Sequence, residues 1–277
     1  MNPRAAFVSW AKRGVKLALL APAMWARERE AGLFVLIYHR VGAGQDREMD
    51  LPAARFVRQM RMLRSRVEVV SLVEGLHRLA AGRPGRDLVA VTFDDGYREV
   101  YTRAWPVLRD LRIPSTVFLP TGFMEGTSPA PIRSGAASHG DVPAPLTWDQ
   151  VGEMAASGLL SVGSHSVIHT DYDRISRDQA EEESAASREL LGLRTGTDVD
   201  LFAYPRAVVA HEDVVAAQYR YAVAGDGVKN LARGLDPLRL ARTPVRESDG
   251  TFFVRRRLDG MAPLEDRFYA WIRGLRA

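Results

Sequence analysis

Two neighbouring carboxylates in the first half of the chain are the residues that most clearly could do chemistry. Asp94 and Asp95 directly follow the apolar run 88–93 and precede Gly96. Two adjacent acids at the end of a buried strand are costly unless a cation or a proton compensates their charge. The pair therefore indicates a cation site, with Gly96 bending the chain so that both carboxylates reach one pocket. An ordinary solvated Asp-Asp-Gly turn is the alternative.

Two histidines further along the chain have the spacing of metal ligands. His165 and His169 lie just after the apolar stretch 159–163, in a chain that has only six histidines. Imidazoles four positions apart can face one cation from a helical turn or a tight loop, although two unrelated histidines would look the same. Two imidazoles and one carboxylate form a triad that leaves metal positions open for water and substrate. Because the chain has no cysteine, any metal must be held by His, Asp or Glu.

Apolar runs that alternate with helical patterns predict the scaffold around these residues. Strands are predicted at 33–38, 67–70, 88–93, 115–119, 159–163, 201–204, 221–224 and 239–243. Helices are predicted at 56–63, 72–81, 101–111, 148–157, 177–193, 211–219 and 264–275. Such alternation is typical of βα units and a parallel sheet. About seven units without a Gly-rich phosphate loop predict an α/β barrel in a single domain, with catalytic groups at the carboxyl ends of its strands.

Two local features of this pattern carry further predictions. Pro106 predicts a kink or a late start in the helix at 101–111, and Thr147 is a predicted N-cap. The stretch 121–146 is rich in Gly, Pro, Ser and Ala and contains no predicted element. A loop of that length inside a compact domain is usually functional or disordered. Because it follows a strand end, we expect it to hang over the catalytic face as a lid, with disorder as the alternative.

Residues 1–30 hold the whole excess of positive charge. The chain has 38 basic and 34 acidic residues, a net charge of +4, and this segment has six basic residues against two acidic ones. The remaining chain is formally neutral, which argues against a nucleic-acid-binding domain. The helical spacing of Phe7, Trp10, Gly14, Leu17 and Ala21 predicts an amphipathic helix that either lies on a membrane or packs on the body.

A signal peptide and a disordered extension are the alternatives for this segment. Its basic start and short apolar stretch are typical of a signal peptide, and the sequence Ala-Pro-Ala at 21–23 resembles a cleavage site. The longest uncharged run, residues 17–26, is too short to span a bilayer. We therefore expect a cytoplasmic protein, with peripheral association at the inner membrane, or an exported one if residues 1–26 act as a signal peptide.

The two motifs, taken in this order, resemble those of the polysaccharide deacetylase family, also called the NodB homology domain or carbohydrate esterase family 4. Thr-Phe-Asp-Asp-Gly at 92–96 and Ser-His-Ser-Val-Ile-His at 164–169 resemble its first two motifs. Tyr-His-Arg-Val at 38–41 and Phe-Ala-Tyr-Pro at 202–205 extend the resemblance over about residues 38–245. It implies a distorted (β/α)7 TIM-like barrel over residues 31–260, in agreement with the strand pattern. Residues 261–277 would form a C-terminal helix.

The resemblance also implies a role for each motif residue. Asp94 matches the family's catalytic base. Asp95, His165 and His169 match its ligands for a divalent metal, usually zinc, with cobalt, nickel, manganese and iron as alternatives. Such a metal acidifies a bound water and polarises the acetamide carbonyl, while the unligated carboxylate takes the proton of the water. The implied partner is an N-acetylated glycan.

The third motif departs from the family pattern, which usually runs Arg-x-Pro-aromatic. The aligned residues here are Ala203, Tyr204, Pro205 and Arg206. The Arg that would orient the base is therefore missing, although the backbone N–H of the motif could still line an oxyanion hole. Arg242 is our candidate for holding the base, and a surface ion pair is its alternative.

The proton donor for the leaving amine is not assigned by the sequence. The family often has a late His for this step, but this chain has no His after His211. His39, at the end of the first predicted strand, could reach the mouth of the barrel or be a hydrogen-bonded structural residue. His211 opens a predicted helix and fits a surface position.

Three functions follow from these observations. The first is a metal-dependent hydrolase that removes N-acetyl groups from the amino sugars of a polysaccharide or lipid-linked glycan. The second is an O-acetyl esterase, since without a strong proton donor an alkoxide departs more easily than an amide nitrogen. The third is a non-catalytic glycan-binding barrel, which the altered third motif and the missing late His motivate.

Overall fold

The computed structural model describes residues 30–44, 48–82, 84–131, 143–225 and 229–258. The predicted N-terminal helix within residues 1–30 and the predicted terminal helix at 264–275 lie outside these residues. So does the centre of the predicted lid, residues 132–142. These three predictions stay predictions.

The longer strands are mostly apolar segments, as the sequence predicts, and three of them are buried along their whole length. They are, in chain order, β1 (Gly32–Tyr38), β2 (Arg40–Val41), β3 (Asp50–Leu51), β4 (Glu68–Val69), β5 (Leu88–Phe93), β6 (Ser115–Leu119), β7 (Leu160–Ser164), β8 (Leu201–Ala203), β9 (Tyr221–Val223), β10 (Asn230–Leu231) and β11 (Thr243–Pro244). Every residue of β1, β5 and β6 is buried, which is typical of parallel strands covered on both faces.

Helices follow most of the strands. They are α1 (Ala53–Arg66), α2 (Leu72–Ala80), α3 (Trp105–Leu111), α4 (Thr121–Met124), α5 (Trp148–Ala156), α6 (Arg177–Thr195), α7 (Glu212–Gln218) and α8 (Thr251–Arg256). A π-helical turn, Val100–Ala104, precedes α3, and 3₁₀ turns lie at Tyr172–Arg174 and Pro205–Ala207. Within the part of the chain that the structure describes, none of these helices has the length and hydropathy needed to cross a bilayer.

The main sheet is parallel except at one edge and curves into a distorted barrel. Its order is β10-β1-β5-β6-β7-β8-β9, and only β10 runs antiparallel to its neighbour, β1. The segment 240–244 connects the two sides, since Leu240 bridges Val223 of β9 while Thr243 and Pro244 pair with β1. The predicted single-domain barrel of βα units is therefore confirmed, and its closure depends on these few residues.

Alternate residues of the strands feed two hydrophobic clusters. Phe34 and Leu36 of β1 pack in the larger cluster, which includes residues of the flanking helices α1, α3 and α6. Leu33 and Val35 of the same strand join a smaller cluster with the buried face of α2. Because the clusters lie on opposite faces of the strands, the sheet is held from both sides and its carboxyl edge is fixed in position.

The predicted N-cap at Thr147 and the predicted late start of the helix at Pro106 are confirmed. Thr147 begins α5 with a capping box, accepting from the Gln150 backbone N–H at 3.3 Å while the Gln150 side chain accepts from the backbone N–H of Thr147 at 3.1 Å. Pro106 lies in the first turn of α3, where its missing N–H is tolerated. The chain upstream of Pro106 forms the π-helical turn, so the helix starts late, as predicted.

Two predicted elements differ from the structure. Residues 121–124 were expected to be irregular and instead form α4, whose backbone N–H groups at Thr121 and Gly122 donate to the carbonyls of Ser166 and Val167. The strand predicted at 239–243 is reduced to the Leu240 bridge and the two residues of β11. Pro244 has no N–H to extend the ladder, and Arg242 makes its main contacts through its side chain.

Candidate active site

The two aspartates leave the carboxyl end of β5 in different backbone conformations. The Asp94 backbone N–H donates to the Tyr38 carbonyl at 3.0 Å, which continues the pairing of β5 with β1. Asp95 then adopts a left-handed conformation with a φ of 71°, and Gly96 follows with a φ of 63°. The sequence suggested that Gly96 alone bends the chain. In the structure Asp95 itself turns, and both carboxylates are buried.

The histidines lie on a loop that leaves the carboxyl end of β7. The His165 backbone N–H donates to the Leu119 carbonyl at 3.0 Å, and the His169 N–H donates to the Ser166 hydroxyl at 3.0 Å. Between them, one carboxylate oxygen of Glu183 accepts from two successive backbone N–H groups of the loop, at 2.8 and 3.0 Å. The tight loop that the spacing allowed is therefore present, and Glu183 of α6 braces it.

The two loops bring one carboxylate and two imidazoles together. Asp95 Oδ1 lies 3.6 Å from His165 Nε2 and 3.4 Å from His169 Nε2. One ligand atom from each residue lies within 4.8 Å of the others. His165 Nδ1 lies 2.7 Å from the Ala203 carbonyl oxygen, which can only accept, so Nδ1 carries the proton and Nε2 presents its lone pair to the cluster.

The chemistry of this cluster fits a divalent cation. Asp95 Oδ1 and His169 Nδ1 are buried without a hydrogen-bond partner among the described residues. Burial, followed by the charge of Asp94, raises the pKa of Asp95 well above its usual value. Burial lowers the pKa of His165 and takes the pKa of His169 to about 2. Both rings are therefore neutral, the form that ligates metals, and a cation would offset the cost of the Asp95 charge.

Asp94 stands beside this cluster and is held by a buried arginine. Arg242 Nη1 donates to Asp94 Oδ1 at 2.6 Å and Nη2 donates to Oδ2 at 2.9 Å, while Nε donates to the Ala224 carbonyl at 2.9 Å. Burial alone would raise the pKa of Asp94, but the Arg242 guanidinium and the nearby imidazoles lower it well below its usual value. The alternative for Arg242, a surface ion pair, is excluded because the residue is only 1% exposed.

His39 and the third motif occupy different positions around the site. His39 interacts electrostatically with Asp94 and His165, and burial lowers its pKa to about 4. The Tyr204 ring is fully buried, with its centroid 5.2 Å from that of Phe202. Tyr204 therefore packs in the core and does not present its side chain to a substrate. Pro205 is buried beside it and starts the 3₁₀ turn.

Arg206 lies at the rim of the cluster in a strained conformation. Its φ is 51°, and Ala207 follows with a φ of 61°. Arg206 Nη1 donates to Asp171 at 2.5 Å, and its charge acts on the pKa values of Asp95 and of both histidines of the cluster. The residue that replaces the family's aromatic therefore adds a positive charge to the edge of the site.

Left-handed backbone is concentrated at this site. The described non-Gly residues with positive φ that belong to the site loops are Asp95, Ser166, His169, Arg206 and Ala207. Such conformations are uncommon and persist where the surrounding structure determines them. The strain indicates that side-chain placement, and not local backbone preference, determines the shape of these loops.

Sequence reasoning missed two residues that support the site. Glu183 is one of three consecutive glutamates in α6, and no sequence feature distinguishes it from its neighbours. Tyr97 directly follows the Asp-Asp-Gly motif, and its side chain interacts with Asp95. Its position directly after the motif could have identified Tyr97 from the sequence as a residue of the site.

We expect Arg242→Met to destabilise the protein by about 3–5 kcal/mol at neutral pH, because Asp94 then keeps a buried charge without its counter-ion. Asp94 has a lowered pKa in the native protein, so its ionised form stabilises the fold above about pH 4 and this contribution is lost as the pH falls. In the variant, protonation of Asp94 at low pH removes its unpaired buried charge. The difference in unfolding free energy should therefore shrink on acidification. Urea unfolding of both proteins at several pH values measures this difference in unfolding free energy.

Arg239→Met is the matched control, since Arg239 is exposed and pairs with Glu212 at the surface. Arg239→Met should lower the free energy of unfolding by no more than about 1 kcal/mol. Equal losses for the two variants at all pH values would contradict the buried role of Arg242.

Comparisons with known proteins identify similar sequences and similar folds. The family model described as Polysaccharide deacetylase matches residues 81–224, just over half of the chain. The candidate polysaccharide deacetylase YxkH of Bacillus subtilis is 27% identical over 231 residues, 81% of this chain and 76% of that protein. The poly-beta-1,6-N-acetyl-D-glucosamine N-deacetylase of Escherichia coli K12 is 29% identical over 154 residues, 54% of this chain. The matched part is only 22% of the E. coli protein.

Solved structures show the same fold. IcaB from Ammonifex degensii is 26% identical, with a TM-score of 0.68 over 83% of this chain and 97% of that chain. The Streptococcus pyogenes deacetylase PplD in complex with acetate has a TM-score of 0.70 at 21% identity, over 83% of this chain and 99% of that chain. Both likenesses support the distorted barrel described above.

Proposed function

The chain belongs to the polysaccharide deacetylase family, and from this premise we propose that it is a metal-dependent hydrolase that removes N-acetyl groups from amino sugars of a glycan. The observation that carries the proposal is the buried cluster of Asp95, His165 and His169 with an ionised carboxylate, Asp94, beside it. Two imidazoles and one carboxylate are a ligand set of catalytic zinc sites and leave a position open for water.

Asp95, His165 and His169 are the residues that would hold the metal. Zinc fits them best, and cobalt, nickel, manganese and iron accept the same donors. When bound, the ion supplies Lewis acidity, which lowers the pKa of water and polarises a carbonyl oxygen.

Asp94 is the proposed general base. His165 Nε2 lies 3.7 Å from Asp94 Oδ2, so a water that faces the cluster is within reach of this carboxylate. Both oxygens of Asp94 already accept from Arg242, which fixes the orientation of the carboxylate and keeps it ionised. These two hydrogen bonds make Asp94 a weak base in the ground state, so proton transfer to it becomes favourable only as the water oxygen bonds to the carbonyl carbon and its protons become more acidic.

Asp94 also offers a source for the proton that the departing nitrogen needs. His39 is neutral at neutral pH because burial lowers its pKa to about 4, which makes it a poor donor. A protonated Asp94 is a strong acid, since Arg242 favours its ionised form. We therefore propose that the proton taken from water returns to the leaving nitrogen through the same carboxylate.

Because His39 is a poor proton donor, an O-acetyl esterase is a second candidate. An alkoxide leaves with less need of protonation than an amide nitrogen, and His39 gives little help. The name of the E. coli relative, which specifies an N-deacetylase of an N-acetylglucosamine polymer, supports the amide as the main substrate. Peripheral membrane association through residues 1–30 is a further proposal, supported by the basic charge of that segment.

We expect the purified protein to carry about one zinc per chain and to release acetate from N-acetylglucosamine oligomers faster than from acetylxylan. Metal analysis and an enzymatic acetate assay measure both quantities. Chelation should remove the activity, and added zinc or cobalt should restore it. Preference for acetylxylan would identify the esterase. A fully metal-loaded protein that releases acetate from neither class would overturn the catalytic proposal and leave a glycan-binding barrel.

A further inference from the structure

An arginine-rich cleft lies beside the proposed metal site. It has a volume of about 380 Å³, and its charged lining residues are Arg40, Arg98, Glu99 and Arg103. Arg40 belongs to β2, whereas the other three come from the turn after β5 and the π-helical turn before α3. Pro143 and Ala144 form a wall of the cleft, and the Ala144 carbonyl accepts from the Arg98 backbone N–H at 2.9 Å.

The charges of this cleft do not balance. Glu99 is the only acidic residue of its lining, and it pairs with Arg40 Nη2. Among the residues that the structure describes, no ion pair is formed by Arg98 or Arg103. The cleft therefore has two positive charges in excess, in a chain that is formally neutral outside its first 30 residues.

Arg40 lacks partners that a buried guanidinium normally has. It is only 5% exposed, and its Nε and Nη1 have no hydrogen-bond partner within the described part of the chain. Buried donors without an acceptor are costly, and native structures rarely keep them without a reason. An oxyanion in the cleft would supply acceptors, since guanidinium groups match the oxygens of phosphate and carboxylate.

One aromatic side chain separates the cleft from the metal cluster. The Arg40 guanidinium carbon lies 5.3 Å from the centre of the Tyr97 ring, and the Tyr97 hydroxyl interacts with Asp95. A glycan whose acetylated sugar faces Asp95 would thus place a neighbouring sugar, or a substituent of the same sugar, over the cleft.

We propose that this cleft is an oxyanion subsite and that the substrates are acetylated glycans with a negatively charged group next to the sugar that is deacetylated. The inference rests on the proposed function and narrows its substrate class. The shared chemistry is the oxyanion, whether it belongs to a phosphate ester or to a uronate carboxylate.

The test compares three substrates with the metal-loaded protein. They are a neutral N-acetylglucosamine oligomer, the same oligomer with a phosphate ester at its reducing end, and an oligosaccharide that alternates N-acetylglucosamine with glucuronate. We expect kcat/KM for at least one anionic substrate to exceed that of the neutral oligomer by about tenfold or more at low ionic strength, and salt to reduce this advantage. The substrate with the advantage identifies the source of the oxyanion.

The double variant Arg98→Gln with Arg103→Gln should lose the advantage and leave turnover of the neutral oligomer unchanged. Arg58→Gln with Arg61→Gln is the matched control, because both residues are exposed on α1, outside the lining of the cleft, and the charge change is the same. It should keep the advantage. Equal kcat/KM values for all three substrates with the unmodified protein would overturn the inference and leave the proposed function intact.

A protein that releases no acetate would instead remove the proposed function, and binding then decides the inference. Isothermal titration calorimetry of the metal-loaded protein with the two anionic oligosaccharides measures this binding. Binding that is lost in the Arg98→Gln and Arg103→Gln variant, and kept in the α1 control, supports the subsite. Binding that is equal in both variants contradicts it.

Discussion

Replacing Asp94 with Asn should leave the metal bound and lower kcat by about 10²- to 10⁴-fold, the contribution usual for a general base. Asn has nearly the shape of Asp but accepts no proton at neutral pH. The three proposed ligands are kept in this variant, since Asp94 is not one of them and both of its oxygens accept from Arg242. Acetate release and metal content, measured on the same sample, test both halves of this expectation.

The Asn variant also leaves Arg242 with a buried charge, so loss of folding must be separated from loss of the base. The double variant Asp94→Asn with Arg242→Met removes the uncompensated charge and should regain much of the stability without regaining turnover. Asp213→Asn breaks an exposed ion pair with Arg177 and should leave kcat unchanged. Wild-type turnover by a metal-loaded Asp94→Asn protein would show that another group is the base.

The positions of Asp94 and the ligands could be predicted because they follow buried strands. Apolar runs such as 88–93 and 115–119 coincide with β5 and β6 residue for residue. Parallel strands bring their carboxyl ends to one edge, so the residues that directly follow β5 and β7, which β6 separates, were expected at the same edge of the sheet. The proposed ligands could therefore be named from local patterns, and the structure brings their side chains together.

Arg242 could be named from the sequence but its role could not be decided there. Its contact with Asp94 joins residues 148 positions apart. It also depends on the short closing segment between Leu240 and Thr243, whose hydrogen bonds are too few to give a strand pattern. Tyr204 shows the reverse case. Tyr204 lies in a motif position, yet its ring contacts core aromatics. The reason is that neighbouring side chains of an extended chain face opposite sides, so Tyr204 faces away from the side that Ala203 faces.

The irregular parts were least predictable for a physical reason. Thr121–Met124 lies in a stretch rich in Gly and Pro, and its helix is held by hydrogen bonds to the histidine loop. The left-handed conformations of Asp95 and His169 are likewise imposed by contacts. Tertiary contacts of this kind leave no trace in local composition or periodicity.

Removing one proposed ligand should abolish both metal binding and turnover. The change in melting temperature on addition of zinc then shows whether the metal site is lost. We expect His165→Ala and His169→Ala to fall to the activity of chelated protein and to lose the rise in melting temperature that zinc gives the unmodified chain. That rise follows from binding to the native state alone. His77→Ala is the control, since His77 lies on α2, where its ring packs against Tyr221 of β9, and it should keep both properties.

Asp95→Asn separates a metal site from an ordinary polar cluster. In the metal-free protein Asp95 is buried beside another carboxylate, and its raised pKa shows that its charge is unfavourable there. Loss of that charge should leave metal-free stability unchanged or increased, while the stabilisation by zinc disappears. A structural Asp95 would behave in the opposite way, because its replacement would cost stability without metal and leave the zinc response in place. Thermal unfolding with and without zinc, at neutral pH, distinguishes the two, and the second pattern would remove the metal site from which the proposed reaction follows.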